Sequence, residues 1–294
     1  MAWKPQPLAN LLDSDRQAAA IFLFPAFLLL GIFVFFPIVY LFYLSFTTDN
    51  FTVTGTRWVG WQNYWRLLVT PEFAKVVANT VYFTVATVIP SLVIPLGLAA
   101  LLDRKVALRG WLRTAYFIPS ITSMVAVGLG WRWLFQNEGP VNALLEWMGL
   151  PSISWLGSTV WAMPVIILLS TWKQLGFNMV VFLAGLQVIP QQRYEAAELD
   201  GAGEWQKFWH VTLPGLRPTL VFATITTAIF TLRSFEQIYI VTGGGPLNST
   251  NILVYYVYEQ AFAQFDFGYA GAAATVLLLV TLILVYIQLR VWRE

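Results

Sequence analysis

Two groups of residues have types and spacings suited to specific chemistry. The first is Glu195-Ala196-Ala197, followed after three residues by Gly201 and after nine more by Val211-Thr212-Leu213-Pro214. Gln191 to Asp200 is rich in helix formers, and Gly201 suits a left-handed helix end. Glu204 to Val211 carries Trp205, Phe208 and Trp209 on what reads as a second short amphipathic helix, stopped at Leu213-Pro214. Two short helices at an angle make a compact knob. Small alanines admit a partner's backbone, and Glu195, Glu198, Asp200 and Glu204 are expected as acidic contacts on its rim. The competing reading is an amphipathic loop lying along lipid headgroups.

The second group is polar residues inside apolar stretches. Ser170, Gln174 and Phe177 share one helical face, and so do Thr227, Thr231 and Ser234, by i, i+4, i+7 spacing. Hydroxyls and an amide replace the water hydrogen bonds of a polyhydroxyl solute, and an aromatic ring covers its CH face. These six are therefore candidates for lining a solute path. The alternative is hydrogen bonding between membrane helices. Arg233 and Glu236, three residues apart, are positioned to pair with each other, to sit at a gate, to pair with a partner, or to reach the outer interface by snorkelling, the last two ahead of direct solute contact. Arg132 and Lys173 are expected to pair or to snorkel.

Other chemistries are poorly supplied. The chain has no cysteine, and its only histidine is His210. Disulfides, thiol nucleophiles and multi-histidine metal sites are excluded, so neither catalytic residues nor metal ligands are expected. His210 reads as a packing or interface residue rather than a pH sensor. Gly243-Gly244-Gly245-Pro246 reads as a turn, since no Lys-Ser/Thr follows as a nucleotide loop requires. The formal charge of +2 is spread between apolar segments and points to no nucleic acid.

The elements that position these residues must sit in lipid. The chain is 58% hydrophobic and 11% charged, against about a quarter charged in soluble domains. Six stretches are long and apolar enough to span a bilayer: 18–45, 76–102, 114–135, 160–187, 218–241 and 267–291. The expected fold is all-α and polytopic: a short tail at 1–17, a six-helix transmembrane domain over 18–294, and a long polar connection at 188–217. The first apolar run is too long for a cleavable signal. Pro25, Pro37, Pro90, Pro95 and Pro164 read as kinks, because neighbouring helices can satisfy the freed backbone groups.

Lys and Arg set the orientation. Arg104, Lys105, Arg109 and Arg113 mark one connection, Arg193, Lys207 and Arg217 another, and Arg290 and Arg293 the C-terminal tail. On the other side, 46–75 carries Arg57, Arg66 and Lys75, while the connections 136–159 and 242–266 have neither residue type. Both termini and the 188–217 connection are thus expected in the cytoplasm. A secondary transporter or channel would call for acidic relays, yet Glu236 is the only acid well inside a span, and no inverted halves are visible. An intramembrane enzyme has little to build from. Neither alternative explains the 195–214 spacing.

That spacing resembles the EAA loop of permease subunits in binding-protein-dependent ABC importers: Glu-Ala-Ala, three residues, Gly, nine residues, Ile, one residue, Leu-Pro. Every fixed position matches except that Val211 stands for Ile. Gly60-Trp61-Gln62-Asn63-Tyr64, Asn79-Thr80 and Ile238 through Pro246 are similar to the carbohydrate-uptake branch, of maltose and glycerol-phosphate type. The resemblance implies a type I ABC importer permease fold in a bacterial inner membrane. Glu195, Ala196, Ala197, Asp200, Gly201, Leu213 and Pro214 would couple it to an ATPase, with Glu195 to Gly201 as the coupling helix. It further implies a second permease, two ATPase subunits that bind ATP and magnesium, and an external solute-binding protein. This chain would hydrolyse nothing itself. In maltose-type relatives the stretches matching the fourth and fifth spans line the transport cavity. The solute would be a sugar or polyol; an anionic one, such as glycerol phosphate, would direct attention to Arg233 and Lys173.

Overall fold

The computed structural model describes residues 15–48, 55–103 and 109–291. Most of the tail expected at 1–17 lies outside that set, as do Lys4, Asp13, Arg104, Lys105 and Arg293.

Helices dominate. Helix α1 (Asp15–Leu30) continues through a π-helical turn (Gly31–Phe35) into α2 (Phe36–Ser45). A two-residue antiparallel pair follows, β1 (Thr47–Thr48) with β2 (Arg57–Trp58), then α3 (Gln62–Val69). Helix α4 (Pro71–Asp103) starts five residues before the expected span, with proline at the helix start, where a missing N–H costs nothing. Helices α5 (Arg109–Ile121), α6 (Met124–Leu134) and α7 (Pro140–Trp147) lead to α8 (Ala162–Val188). Next come α9 (Gln191–Leu199), α10 (Glu204–Lys207), a π-helical turn (Phe208–Thr212) and α11 (Leu213–Gly215). The chain finishes with α12 (Arg217–Leu232), α13 (Phe235–Val241), α14 (Leu253–Tyr258), a π-helical turn (Glu259–Ala263) and α15 (Phe267–Val291).

Four stretches have the length and hydropathy to cross a membrane unbroken: Ala19–Ser45, Pro71–Leu102, Ala162–Val188 and Phe267–Arg290. Two more count as spans only as bent pairs. Gly110–Ile121 and Met124–Leu134 meet at 96°, and Glu204–Gly215 and Arg217–Leu232 meet at 69°. The expected third span at 114–135 is therefore not one rod. The fifth ends as a helix at Leu232 rather than 241, because Arg233 and Ser234 leave helical geometry before α13 begins. An 18-residue apolar stretch within Ala19–Ser45 has no residue buried by the rest of the chain; only its C-terminal end, at Ser45, packs against α3 and α15. Phe22, Phe24, Phe27 and Phe33 all point outward, a surface that belongs against lipid or a second membrane chain.

Helix α8 is the central rod. Along it lie two apolar clusters, one with Phe83, Ile166, Leu169 and Ile238, the other with Ala99, Met179, Phe182 and Leu216. Gly176 lets α5 approach α8: a Cβ there would stand 2.3 Å from the Tyr116 carbonyl oxygen. A third cluster, around Leu67, Phe73, Tyr256 and Tyr269, ties α3, α4 and α14 to α15.

The motif residues Asn63, Asn79 and Thr80 serve as fasteners. The buried Asn63 amide donates to the Ser45 and Thr47 carbonyls, each at 2.9 Å, joining α3 to the end of α2. Asn79 donates to the carbonyls of Asn248 (2.8 Å) and Asn251 (3.0 Å), and Thr80 Oγ1 accepts from Leu253 N at 2.9 Å. Together they pin the loop after α13 onto α4. In that loop Gly243 and Gly244 take positive φ, as turn residues do.

Candidate coupling elbow and solute path

The elbow begins with Pro190, extended at ψ 130°, as the N-cap of α9. Gly201 closes the helix at φ 78°, donating to the Glu198 carbonyl at 3.0 Å, while Ala202 N reaches the Ala197 carbonyl at 2.9 Å. This is the left-handed cap that the glycine suits. Gly203 then caps α10, its N–H donating to Gln206 Oε1 at 2.9 Å. The second helical segment runs on through Leu213-Pro214 to Gly215, which corrects the expected stop at that proline. Pro214 follows the π-helical turn directly and lies one residue before the end of the segment, where its missing N–H takes no part in the helical ladder.

Two of the four acids are internally engaged. Lys207 Nζ lies 2.6 Å from both Glu198 Oε1 and Glu204 Oε1, bracing α9 against α10. Those hydrogen bonds hold the Lys207 ammonium above the ordinary lysine range. Tyr194 Oη and Thr212 Oγ1, 3.0 Å apart, add a second brace. Glu195 and Asp200 stay on the exposed rim with Ala196, Gly201 and Pro214, whereas Ala197 and Leu213 are half-buried. Leu199 projects at 90% exposure. Ala197, Asp200, Gly201, Gln206 and Val211 bound a concavity of about 320 Å³. His210 closes one side, its Nδ1 3.0 Å from the Gln206 carbonyl oxygen.

Between the two apolar clusters, α4, α8 and α12 meet along a buried polar seam. Pro95 has no N–H to give the carbonyl of Ser91, four residues earlier. Asn178 fills the gap: its Nδ2 donates to Ser91 O at 2.6 Å and to Thr227 Oγ1 at 3.0 Å. Gln174 Nε2 lies 3.3 Å from Thr231 Oγ1, and Thr231 Oγ1 back-bonds to Thr227 O at 2.8 Å. Ser170, Thr227 and Thr231 are buried within this packing. Phe177 sits edge-on to Phe230. Among the six side chains expected along a solute path, then, Ser170, Thr227 and Thr231 face helix packing within the chain. Asn178 was missed as a key residue. The signal was available: an in-span proline frees a carbonyl that a polar residue on another span must satisfy.

Ser234 is placed differently. It borders a cavity of about 420 Å³ with Thr122, Lys173, Phe230, Arg233, Glu236 and Gln237. This cavity exists because two helices are broken beside it. At the α5–α6 break, Lys173 Nζ donates to the carbonyls of Pro119 (2.9 Å) and Thr122, a cation on a helix C-terminus. Ser120 Oγ donates to Lys173 O at 3.0 Å. At the α12–α13 break, Gln237 Nε2 donates to Ser234 Oγ at 3.3 Å. No ion pair joins Arg233 to Glu236 among the described residues, because the break ends the helical register that would align them. Both line the cavity instead. Among the described residues no cluster of side chains suits a metal ion.

Residues 91–292 match the family described as the binding-protein-dependent transport system inner membrane component. This chain belongs to that family. It is 36% identical to the sulfoquinovosyl glycerol transport system permease protein of Agrobacterium fabrum, over 95% of this chain and 91% of that one. It is likewise 36% identical to the lactose transport system permease protein of Rhizobium radiobacter, over 93% of each. The permease also shares its fold with a chain of a bacterial ABC transporter that imports the acidic polysaccharide alginate. The TM-score is 0.83 at 24% identity, over 95% of this chain and 96% of that one. The type I importer permease fold expected from the resemblance is thereby established, and the elbow and the cavity are features of an ABC importer's membrane subunit.

Proposed function

We propose that the permease carries a saccharide inward, in one half of a pore completed by a second permease, after an external binding protein delivers the solute. Two ATPase subunits in the cytoplasm supply the drive. They hold the ATP and magnesium, while this chain holds no cofactor. Glu195 to Gly201, with Leu213 and Pro214, seats in the ATPase. Both termini face the cytoplasm. The observation that carries this reading is the elbow itself: a glycine-capped helix, ion-paired to its neighbour through Lys207, presenting an uncovered Leu199 and an acidic rim. So braced, it moves as a unit and transmits force to α8 and α12. The saccharide relatives and the mixed aromatic and hydroxyl lining beside Ser234 support the solute class. The lever biases the bundle between inward-open and outward-open states through contacts that differ between them.

The test is Gly201→Asp in the reconstituted importer. No atom lies within 4 Å of a Cβ at Gly201, so the change strains only φ and alters the docking face. Saccharide-stimulated ATP hydrolysis and uptake are expected to fall together while membrane insertion persists. Undiminished ATP-dependent uptake would remove the elbow from coupling.

A further inference from the structure

We infer that Arg233 selects an anionic saccharide, one bearing a carboxylate or comparable oxyanion; this rests on the saccharide-import reading above. The argument is charge accounting in the cavity of about 420 Å³. Three ionic side chains line it: Lys173, Arg233 and Glu236. Lys173 is committed, its ammonium bound to the Pro119 and Thr122 carbonyls and within electrostatic reach of Glu236. Lysine and glutamate therefore offset one another. Arg233 has neither a hydrogen-bonded nor an ion-paired side-chain partner among the described residues. One positive charge is left over, on an exposed guanidinium.

That charge is not a chance surface arginine. Helix α12 rises about 24 Å over its sixteen residues before Arg233, most of a hydrocarbon core about 30 Å thick, so the guanidinium stands toward the end of the span away from the elbow, on the wall of the cavity. An arginine there must face water or a counter-ion. Its forked donors match a carboxylate with two parallel hydrogen bonds, which an ammonium cannot do. Phe230 and Phe235 supply ring faces and Gln237 an amide oxygen within the same cavity, while the Ser234 hydroxyl is already engaged by Phe230 O at 3.0 Å and by Gln237. A sugar ring with an acidic substituent pairs the guanidinium and covers the ring faces at once. A neutral sugar leaves the guanidinium unmatched.

The experiment uses the full importer in proteoliposomes, with radiolabelled galactobiose and digalacturonate as a neutral and an anionic probe of one backbone. Digalacturonate is expected to be taken up in preference. Arg233→Gln is expected to cut its uptake about tenfold or more, the scale of a lost charged hydrogen bond. Arg233→Lys is expected to cut it less, and neither variant to lower galactobiose uptake comparably. Preferential galactobiose uptake unaffected by Arg233→Gln overturns the charge assignment and leaves saccharide import standing. Uptake of neither sugar overturns both. If Arg233→Gln instead releases the second permease on size-exclusion chromatography, Arg233 is an assembly contact and the inference fails.

Discussion

At the residue scale, Asn178 shows how a backbone defect on one helix dictates a side chain on another. Pro95 deprives Ser91 O of its donor, and Asn178 supplies one at 2.6 Å while also engaging Thr227. Asn178→Ala leaves a buried carbonyl unsatisfied and is expected to cost about 1–3 kcal/mol. In a Pro95→Ala background an N–H returns to Ser91 O, so the same change is expected to cost less. Thermal unfolding of the four variants in detergent measures the coupling, and equal costs in both backgrounds would show that the proline is irrelevant. Lys207 is a second such residue. Its raised pKa means that the pairing with Glu198 and Glu204 is present below the ordinary lysine value and is lost as pH climbs through the raised one. Trp205 and Trp209 fluorescence is therefore expected to hold steady from neutral pH to past the usual lysine range. Lys207→Gln should shift that fluorescence already at neutral pH.

At the scale of elements, close approach decides whether a broken helix is tolerated. The α5–α6 bend is held because α5 lies flush on α8 at Gly176, where Lys173 and Ser120 cross-link the two helices. Gly176→Ala places a methyl against backbone on α5, which cannot rotate away. It is expected to destabilise by about 1–3 kcal/mol and to lower the melting temperature in detergent. The contrast with Gly201 is informative. That glycine has open space and is required only for its φ of 78°, so Gly201→Ala is expected to cost about 1–2 kcal/mol locally without separating any helices. The chemical pattern around Gly201 is local and could be read directly. The need for glycine at 176 could not, since it depends on a helix more than fifty residues away.

At the scale of the molecule, the elbow and the Asn248 loop lie at opposite ends of the bundle's long helices, and orientation is directly testable because the natural chain has no cysteine. Leu199 and Leu247 are 90% and 82% exposed, one at each end. With a membrane-impermeant maleimide on intact spheroplasts, Leu247→Cys is expected to label, whereas Leu199→Cys should label only after permeabilisation. Co-expressed ATPase subunits should then protect the cysteine at 199. The reverse pattern would invert the topology. Most of Ala19–Ser45 lies open, with only its C-terminal part packed on α3 and α15, as expected of one subunit in a bilayer assembly.

Composition and local pattern alone determined the membrane class, the six apolar stretches and the glycine-capped elbow, because span length, hydropathy and a left-handed φ are properties of short segments. Only the tertiary structure decided which polar residues serve packing and which face open space. The expected face of Thr227, Thr231 and Ser234 divides at the helix break: the two threonines join the buried seam and the serine joins the cavity. Periodicity assumes an unbroken helix. Where the backbone leaves helical geometry at Arg233, side-chain direction passes from sequence spacing to the neighbours that pack around the break.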